Sequence, residues 1–203
     1  MSQALQIEPG MTVEEFDAFL DAQGGEGRWE LVDGCIVAMS NPSERHERIA
    51  SNLGARLTLA MDTSGCHTYQ GGMGVQLSDD RTNDNRSRPD VVVRCGAVSD
   101  RNFITDPVVI AEVLSPSTMD YDRGQKLVFY KQMPTLRHVA LIYQDRMCIE
   151  HFRRDDTGWT WEILTRPDDQ LTFDAVEFSI ALERVYFAIA FAAPGQIRLG
   201  RMG

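Results

Sequence analysis

The chain has 203 residues, enough to bury a hydrophobic core without disulfides or structural metals, and its length favours one elaborated domain over two. Thirty acidic residues against twenty basic ones leave a net charge of −10. That excludes a general coat for nucleic acid or anionic membrane, because phosphate attraction needs positive potential.

The chain opens MSQALQIEPG, which has neither the basic start nor the apolar run of a signal peptide. The longest apolar run, Val185 to Ala193, falls far short of the roughly 20 residues that span a bilayer, so a cytoplasmic, membrane-free protein is expected. Thr12 and Glu15 form a capping box ahead of Phe16, Phe19 and Leu20, predicting a short helix. Arg28 to Met39 reads as a hairpin whose two apolar runs flank Asp33-Gly34, a strong two-residue turn signal. A second helix is predicted with Asn41 as N-cap, Pro42 at the first helical position, Glu44 in the first turn, and Ile49, Leu53, Leu57 and Ala60 as one apolar stripe. Cys66 to Leu77 holds two short strand candidates around Gly71-Gly72, with GGMG read as a turn.

The very polar run Ser78 to Arg88 predicts an exposed loop. Pro89–Val93 and Pro107–Leu114 are short, β-branched and bounded by turns, as buried strands are. A helix is predicted from about Thr118 to Met133, then a β-meander of Arg137–Tyr143, Met147–Phe152 and Gly158–Leu164 in which Trp159 and Trp161 pack. Asp174 to Ala193 is predicted as a closing helix. No linker or repeat divides the chain, so residues 12–193 read as one α/β domain between tails 1–11 and 194–203. Cys35, Cys66, Cys95 and Cys148 show no CxxC spacing and read as reduced, mostly buried thiols. His67, His138 and His151 show no ligand spacing.

The chemistry concentrates in two apolar strands, each carrying one carboxylate: Asp90 at the start of the first and Glu112 near the end of the second. Paired antiparallel, those ends adjoin. Two converging carboxylates and a backbone carbonyl suit Mg²⁺ or Mn²⁺; alternatively Asp90 caps a turn and Glu112 pairs with an arginine. On the following helix, Thr118, Asp122, Lys126 and Tyr130 recur every four residues and share one face. That face is either a solvated ion-paired surface or part of a site. Composition favours the site: the chain has 18 arginines and only two lysines, Lys126 and Lys131, so a lysine marks a position needing a compact ammonium. Glu30 and His46 are supporting candidates, the first as a further acidic group and the second as a base or phosphate contact.

The run RPDVVV…VVIAEVLSPSTMDYDRGQKLVFY resembles the PD-(D/E)XK nuclease superfamily, and more closely its Uma-type bacterial family of restriction-endonuclease-like proteins. Pro89-Asp90, the Glu112–Thr118 segment, Asp122, Lys126 and Tyr130 carry the resemblance, with Trp29-Glu30-Leu31-Val32-Asp33-Gly34 and His46 upstream. It covers about Thr12 to Ile180 and implies a restriction-endonuclease-like core, a mixed β-sheet flanked by helices with an added N-terminal helix and hairpin. It further implies a metal on Asp90, Glu112 and the Val113 carbonyl, catalysis by Asp90, Glu112 and Lys126, and support from Glu30, His46, Asp122 and Tyr130. Leu114 stands where the superfamily pattern places lysine, which leaves Lys126 as the candidate.

The function expected is Mg²⁺- or Mn²⁺-dependent hydrolysis of phosphodiester bonds, with DNA as partner and a two-fold homodimer possible. Alternatives are an idle nuclease-fold module of a defence or mobile-element system, and a hydrolase of small phosphoesters. The acidity does not sit at the proposed site: Glu8 to Asp33 holds eight acids and one arginine. Arg81, Arg86 and Arg88, just before Asp90, are candidate backbone-phosphate contacts diluted by Asp79, Asp80 and Asp84.

Overall fold

In the computed structural model, residues 10–24, 27–115 and 119–191 are described. Helix α1 (Val13–Ala22) starts at the expected capping box, with Thr12 and Glu15 bonding reciprocally. Strands β1 (Trp29–Val32) and β2 (Cys35–Ala38) pair antiparallel across Asp33 and Gly34, both at positive φ (47° and 72°), as a tight primed turn requires. Val13, Phe16, Leu31 and Ile36 close a small separate core between this hairpin and α1. Helix α2 (Glu44–Met61) follows, then β3 (Cys66–Gln70), β4 (Gly74–Val75), β5 (Val91–Cys95), β6 (Phe103–Ile104) and β7 (Pro107–Leu114).

The helical stretch after β7 is α3 (Met119–Tyr121), a π turn (Asp122–Lys126) and α4 (Leu127–Lys131). Next come β8 (His138–Tyr143), β9 (Ile149–Asp155), β10 (Gly158–Leu164), β11 (Gln170–Phe173), β12 (Phe178–Ala181) and the short α5 (Leu182–Val185).

Six strands form the central sheet in the order β10-β9-β8-β7-β5-β3. All neighbours are antiparallel except β7 and β8, which run parallel because the helical segment carries the chain across between them. β7 is central and buried on both sides. Its Val109, Ala111 and Val113 pack with Ile49, Leu53 and Leu57 of α2, while Ile110 and Leu114 pack with Tyr130, Met133 and Leu136 on the other face. The two-residue period of a strand therefore puts Glu112 on the face that carries the π turn.

Several expectations need correction. The N-cap of α2 is Ser43, whose Oγ accepts from the His46 N–H at 3.2 Å, not Asn41; Asn41-Pro42 lies outside the helix. The helix expected over 118–133 is interrupted by the π turn, which holds Gly124, a poor helix former; Thr118 lies outside the described residues. The closing helix expected from Asp174 is instead a one-turn 3₁₀ helix, Asp174–Val176, then β12 and the four-residue α5. Leu171, Phe173, Phe178 and Ile180 are buried with exposed residues between them, and this period of two makes β11 and β12 a hairpin.

The polar run 78–88 is not all exposed, since Arg86 and Ser87 are buried and bridge to Leu31 and Val75. Cys66 and Cys95 are not free thiols: their direct opposition in the β3–β5 register joins them in a disulfide, leaving Cys35 and Cys148 unbridged among the cysteines. A separation of 29 residues gave no hint of that register. Trp161 packs only on one side: its ring stacks on Phe152 at 6.3 Å, and it is otherwise 62% exposed on the edge strand β10. Tail 194–203 and most of tail 1–11 lie outside the described residues, among which no helix is long and apolar enough to cross a membrane.

Candidate active site

β5 and β7 pair with Val91 opposite Ala111, so the next position along brings Asp90 beside Glu112. The Asp90 N–H points at Glu112 Oε2 (3.4 Å), and Asp90 Oδ2 accepts the Val113 N–H (2.8 Å). From α2, His46 Nε2 reaches the same Asp90 oxygen at 3.1 Å. The π turn delivers Lys126, whose Nζ lies 2.9 Å from Glu30 Oε1, 3.0 Å from Glu112 Oε1 and 3.6 Å from Asp122 Oδ1. Tyr130, one turn later and fully buried, donates to Glu112 Oε1. Glu30 Oε1 also accepts from Ser87 Oγ (2.8 Å) and the Arg88 N–H (2.7 Å). Glu30, Asp90, Glu112, Asp122 and Lys126 are all buried, yet they line one cavity of about 540 Å³ with His46, Val113, Ser115, Tyr121 and Arg28.

Burial dominates the electrostatics. It pushes Glu112 up to about 8; the Lys126 ammonium pulls the other way, while the charges of Asp90, Asp122 and Glu30 add to the rise. Ser87 Oγ lies 2.7 Å from Tyr130 Oη, so three oxygen–oxygen contacts link Glu30, Ser87, Tyr130 and Glu112 in one buried chain. Burial pulls Lys126 down, but the charges of Glu112 and Glu30 outweigh it and hold the ammonium well above its ordinary value. Lys126 is thus held in its cationic form, which donates hydrogen bonds to the surrounding carboxylates. For His46, burial again pulls down, and the hydrogen bond and charge of Asp90 reverse it into a net rise. Burial, then the nearby Arg28 and Arg86 charges, lowers Arg88.

Residues 13–183 match the family described as Uma2: Putative restriction endonuclease. This chain is a member of the Uma2 family. Two uncharacterised Synechocystis proteins are similar along most of their length: slr1290, 30% identical over 90% of this chain and 95% of that one, and sll1609, 27% identical over 71% and 82%. Among solved structures, a protein of Anabaena variabilis described as a putative nuclease belonging to DUF820 shares the fold with a TM-score of 0.66 at 15% identity, over 79% of this chain and 90% of that one. The Uma2 fold expected from the sequence, a mixed sheet flanked by helices, is the fold observed.

In this Uma2 chain the structure brings together Asp90, Glu112, Lys126, Asp122, Tyr130, Glu30 and His46. Glu30, which could have been an exposed hairpin residue, is 2% exposed. Leu114 is buried in the core, pointing away from a catalytic role, and the second lysine, Lys131, stands 4.3 Å over the Phe152 ring. Ser87 was not singled out from the sequence; it sits in a polar run with no local signal, and only the bridge to Val75 places it. Arg86 is not free to meet a phosphate, because it is buried against Asp17 and Gln76.

Proposed function

We propose that this Uma2 protein is a nuclease that hydrolyses phosphodiester bonds, with DNA as substrate and a divalent cation held by Asp90, Glu112 and the Val113 carbonyl. The observation that carries the reading is the convergence of Asp90 and Glu112 from adjacent strands with the Lys126 ammonium 3.0 Å from Glu112, all on one cavity.

The donor set fits such an ion. Four buried acidic side chains, Glu30, Asp90, Glu112 and Asp122, share the contacts of only two basic groups, Lys126 and His46, so acids outnumber bases at the cavity. Mg²⁺ commonly binds through one or two carboxylates and retains its waters, so a pair plus a carbonyl suffices. No group of three or more His, Cys, Asp or Glu side chains with metal-holding geometry occurs among the described residues, so the third protein ligand would be backbone. When bound, Mg²⁺ or Mn²⁺ would polarise the scissile phosphate and acidify an attacking water.

The chain's own residues do the rest. Lys126 orients the nucleophile and offsets charge building on the phosphate; Asp122 and Glu30 fix the direction of its ammonium, and Tyr130 holds Glu112. His46 keeps Asp90 aimed at Val113 in β7. Incubation with single- and double-stranded DNA and RNA, with and without Mg²⁺ or Mn²⁺, tests the proposal: metal-dependent cleavage of DNA is expected, and no cleavage of any of them would refute it.

A second reading, an idle nuclease-fold module, draws on the self-satisfied carboxylates: Glu112 is held by Lys126 and Tyr130, and Asp90 by His46 and Val113. Calorimetry with Mn²⁺ separates the two, since an idle module gives no binding heat.

A further inference from the structure

Two arginines beside the carboxylate cluster make no direct ion pair among the described residues, although the charge of Glu30 acts on Arg88 from farther off. Arg28 and Arg88 stand two residues before Glu30 and Asp90 respectively. The antiparallel bridge between Leu31 and Arg86 brings the two segments side by side, and the Arg88 N–H bonds to Glu30. Arg28 lines the cavity. Each guanidinium has its Nε buried without a hydrogen-bond partner, and neither makes an ion pair among the described residues. Elsewhere in the molecule Arg81, Arg86, Arg94, Arg101, Arg123 and Arg166 each hold a carboxylate.

In a chain with ten more acids than bases, leaving two neighbouring, half-buried guanidiniums with unpartnered Nε groups and no direct ion pair among the described residues is costly. A buried unpaired donor loses its water bonds, and like charges repel. The arrangement becomes favourable when an anion enters, and the planar fork of arginine matches the oxygens of a phosphate group.

We propose that Arg28 and Arg88 form an anion subsite that grips a non-scissile phosphate of the nucleic-acid strand, next to the one presented to Asp90, Glu112 and Lys126. The assignment rests on the nuclease reading for the identity of the anion. It gives an acidic protein a local positive anchor for a polyanion and fixes the strand's register across the cavity.

The test separates binding from cleavage. A fluorescein-labelled DNA duplex is titrated by anisotropy in EDTA, where no metal-dependent cleavage occurs, against wild type, Arg28→Gln, Arg88→Gln, the double variant and the exposed control Arg184→Gln. The double variant is expected to bind about tenfold more weakly, with the slope of log affinity against log salt reduced by about one. The control should match wild type. Thermal melting guards against misfolding: removing two repelling charges should leave the melting temperature unchanged or raised, and inorganic phosphate should raise it in wild type but not in the double variant. Equal affinity in wild type and double variant, or no duplex binding by wild type, would overturn the subsite. If the nuclease reading fails instead, no metal supports cleavage while the Arg28- and Arg88-dependent binding persists.

Discussion

Lys126 is the residue on which most of the site's interactions meet. Its ammonium touches three carboxylates, Glu30, Glu112 and Asp122, while only 4% exposed. Removing it strands buried negative charge, so Lys126→Ala should lower stability by about 3 kcal/mol or more in denaturant titrations. Glu112→Gln should not, because burial already favours a neutral side chain at that position. Lys126→Arg keeps the charge but replaces a compact ammonium with a broad fork, and cleavage should fall at least about tenfold with stability better preserved than in Lys126→Ala. This residue was legible in the sequence because lysine is so rare in the chain. Ser87 was not: nothing in SDDRTNDNRSR distinguishes it, and only its contacts with Glu30 and Tyr130 do.

At the scale of elements, the two apolar strands were legible from their composition, but their antiparallel pairing entered only as the condition under which Asp90 and Glu112 would meet, and β5–β7 meets that condition. The helix after β7 was legible as a helix but not in its winding. The four-residue spacing of Asp122, Lys126 and Tyr130 suits a regular α-helix, whereas the observed π turn widens the winding at Asp122–Lys126. Deleting Gly124, where an added Cβ would meet nothing within 4 Å beyond its own helix, should convert that turn to α and bring Asp122 to three residues from Lys126, disturbing the 3.6 Å contact between them. Cleavage is then expected to vanish while far-ultraviolet circular dichroism keeps its helix and strand signals; full activity in the deletion would show that the π turn is dispensable. The terminal hairpin β11–β12 was missed because charged residues between the apolar ones let the stretch pass as an amphipathic helix. Cys66 and Cys95 were missed for a related reason, since register is a tertiary property. Thiol titration in denaturant should find two reactive cysteines, Cys35 and Cys148, rising to four after reduction.

For the whole molecule, the sheet holds a second buried polar group that does not line the cavity. His138 and His151 are buried and stacked with ring nitrogens 3.1 Å apart, and they are held at their outer ends by Asp174 (2.8 Å) and Glu162 (3.1 Å). Burial and the facing His151 push His138 down to about 4, with Asp174 resisting and Arg153 assisting. The unfolded chain takes up this proton at its ordinary value of 6.5, above the folded one, so stability falls as pH drops from 6.5 towards 4. Melting curves across that window should show the loss, and His138→Gln should flatten it. The charge pattern also belongs to this scale. An acidic surplus of ten predicts weak binding to DNA, with a salt dependence set by the few cationic contacts such as Arg28 and Arg88.

Metal-dependent hydrolysis at the Asp90–Glu112 pair is tested most directly by comparing wild type and Glu112→Gln side by side, at equal melting temperature, on duplex DNA with Mg²⁺ or Mn²⁺. Wild type should cleave only when the metal is present, and Glu112→Gln should not cleave at all. Undiminished cleavage by the pure Glu112→Gln protein would contradict the account.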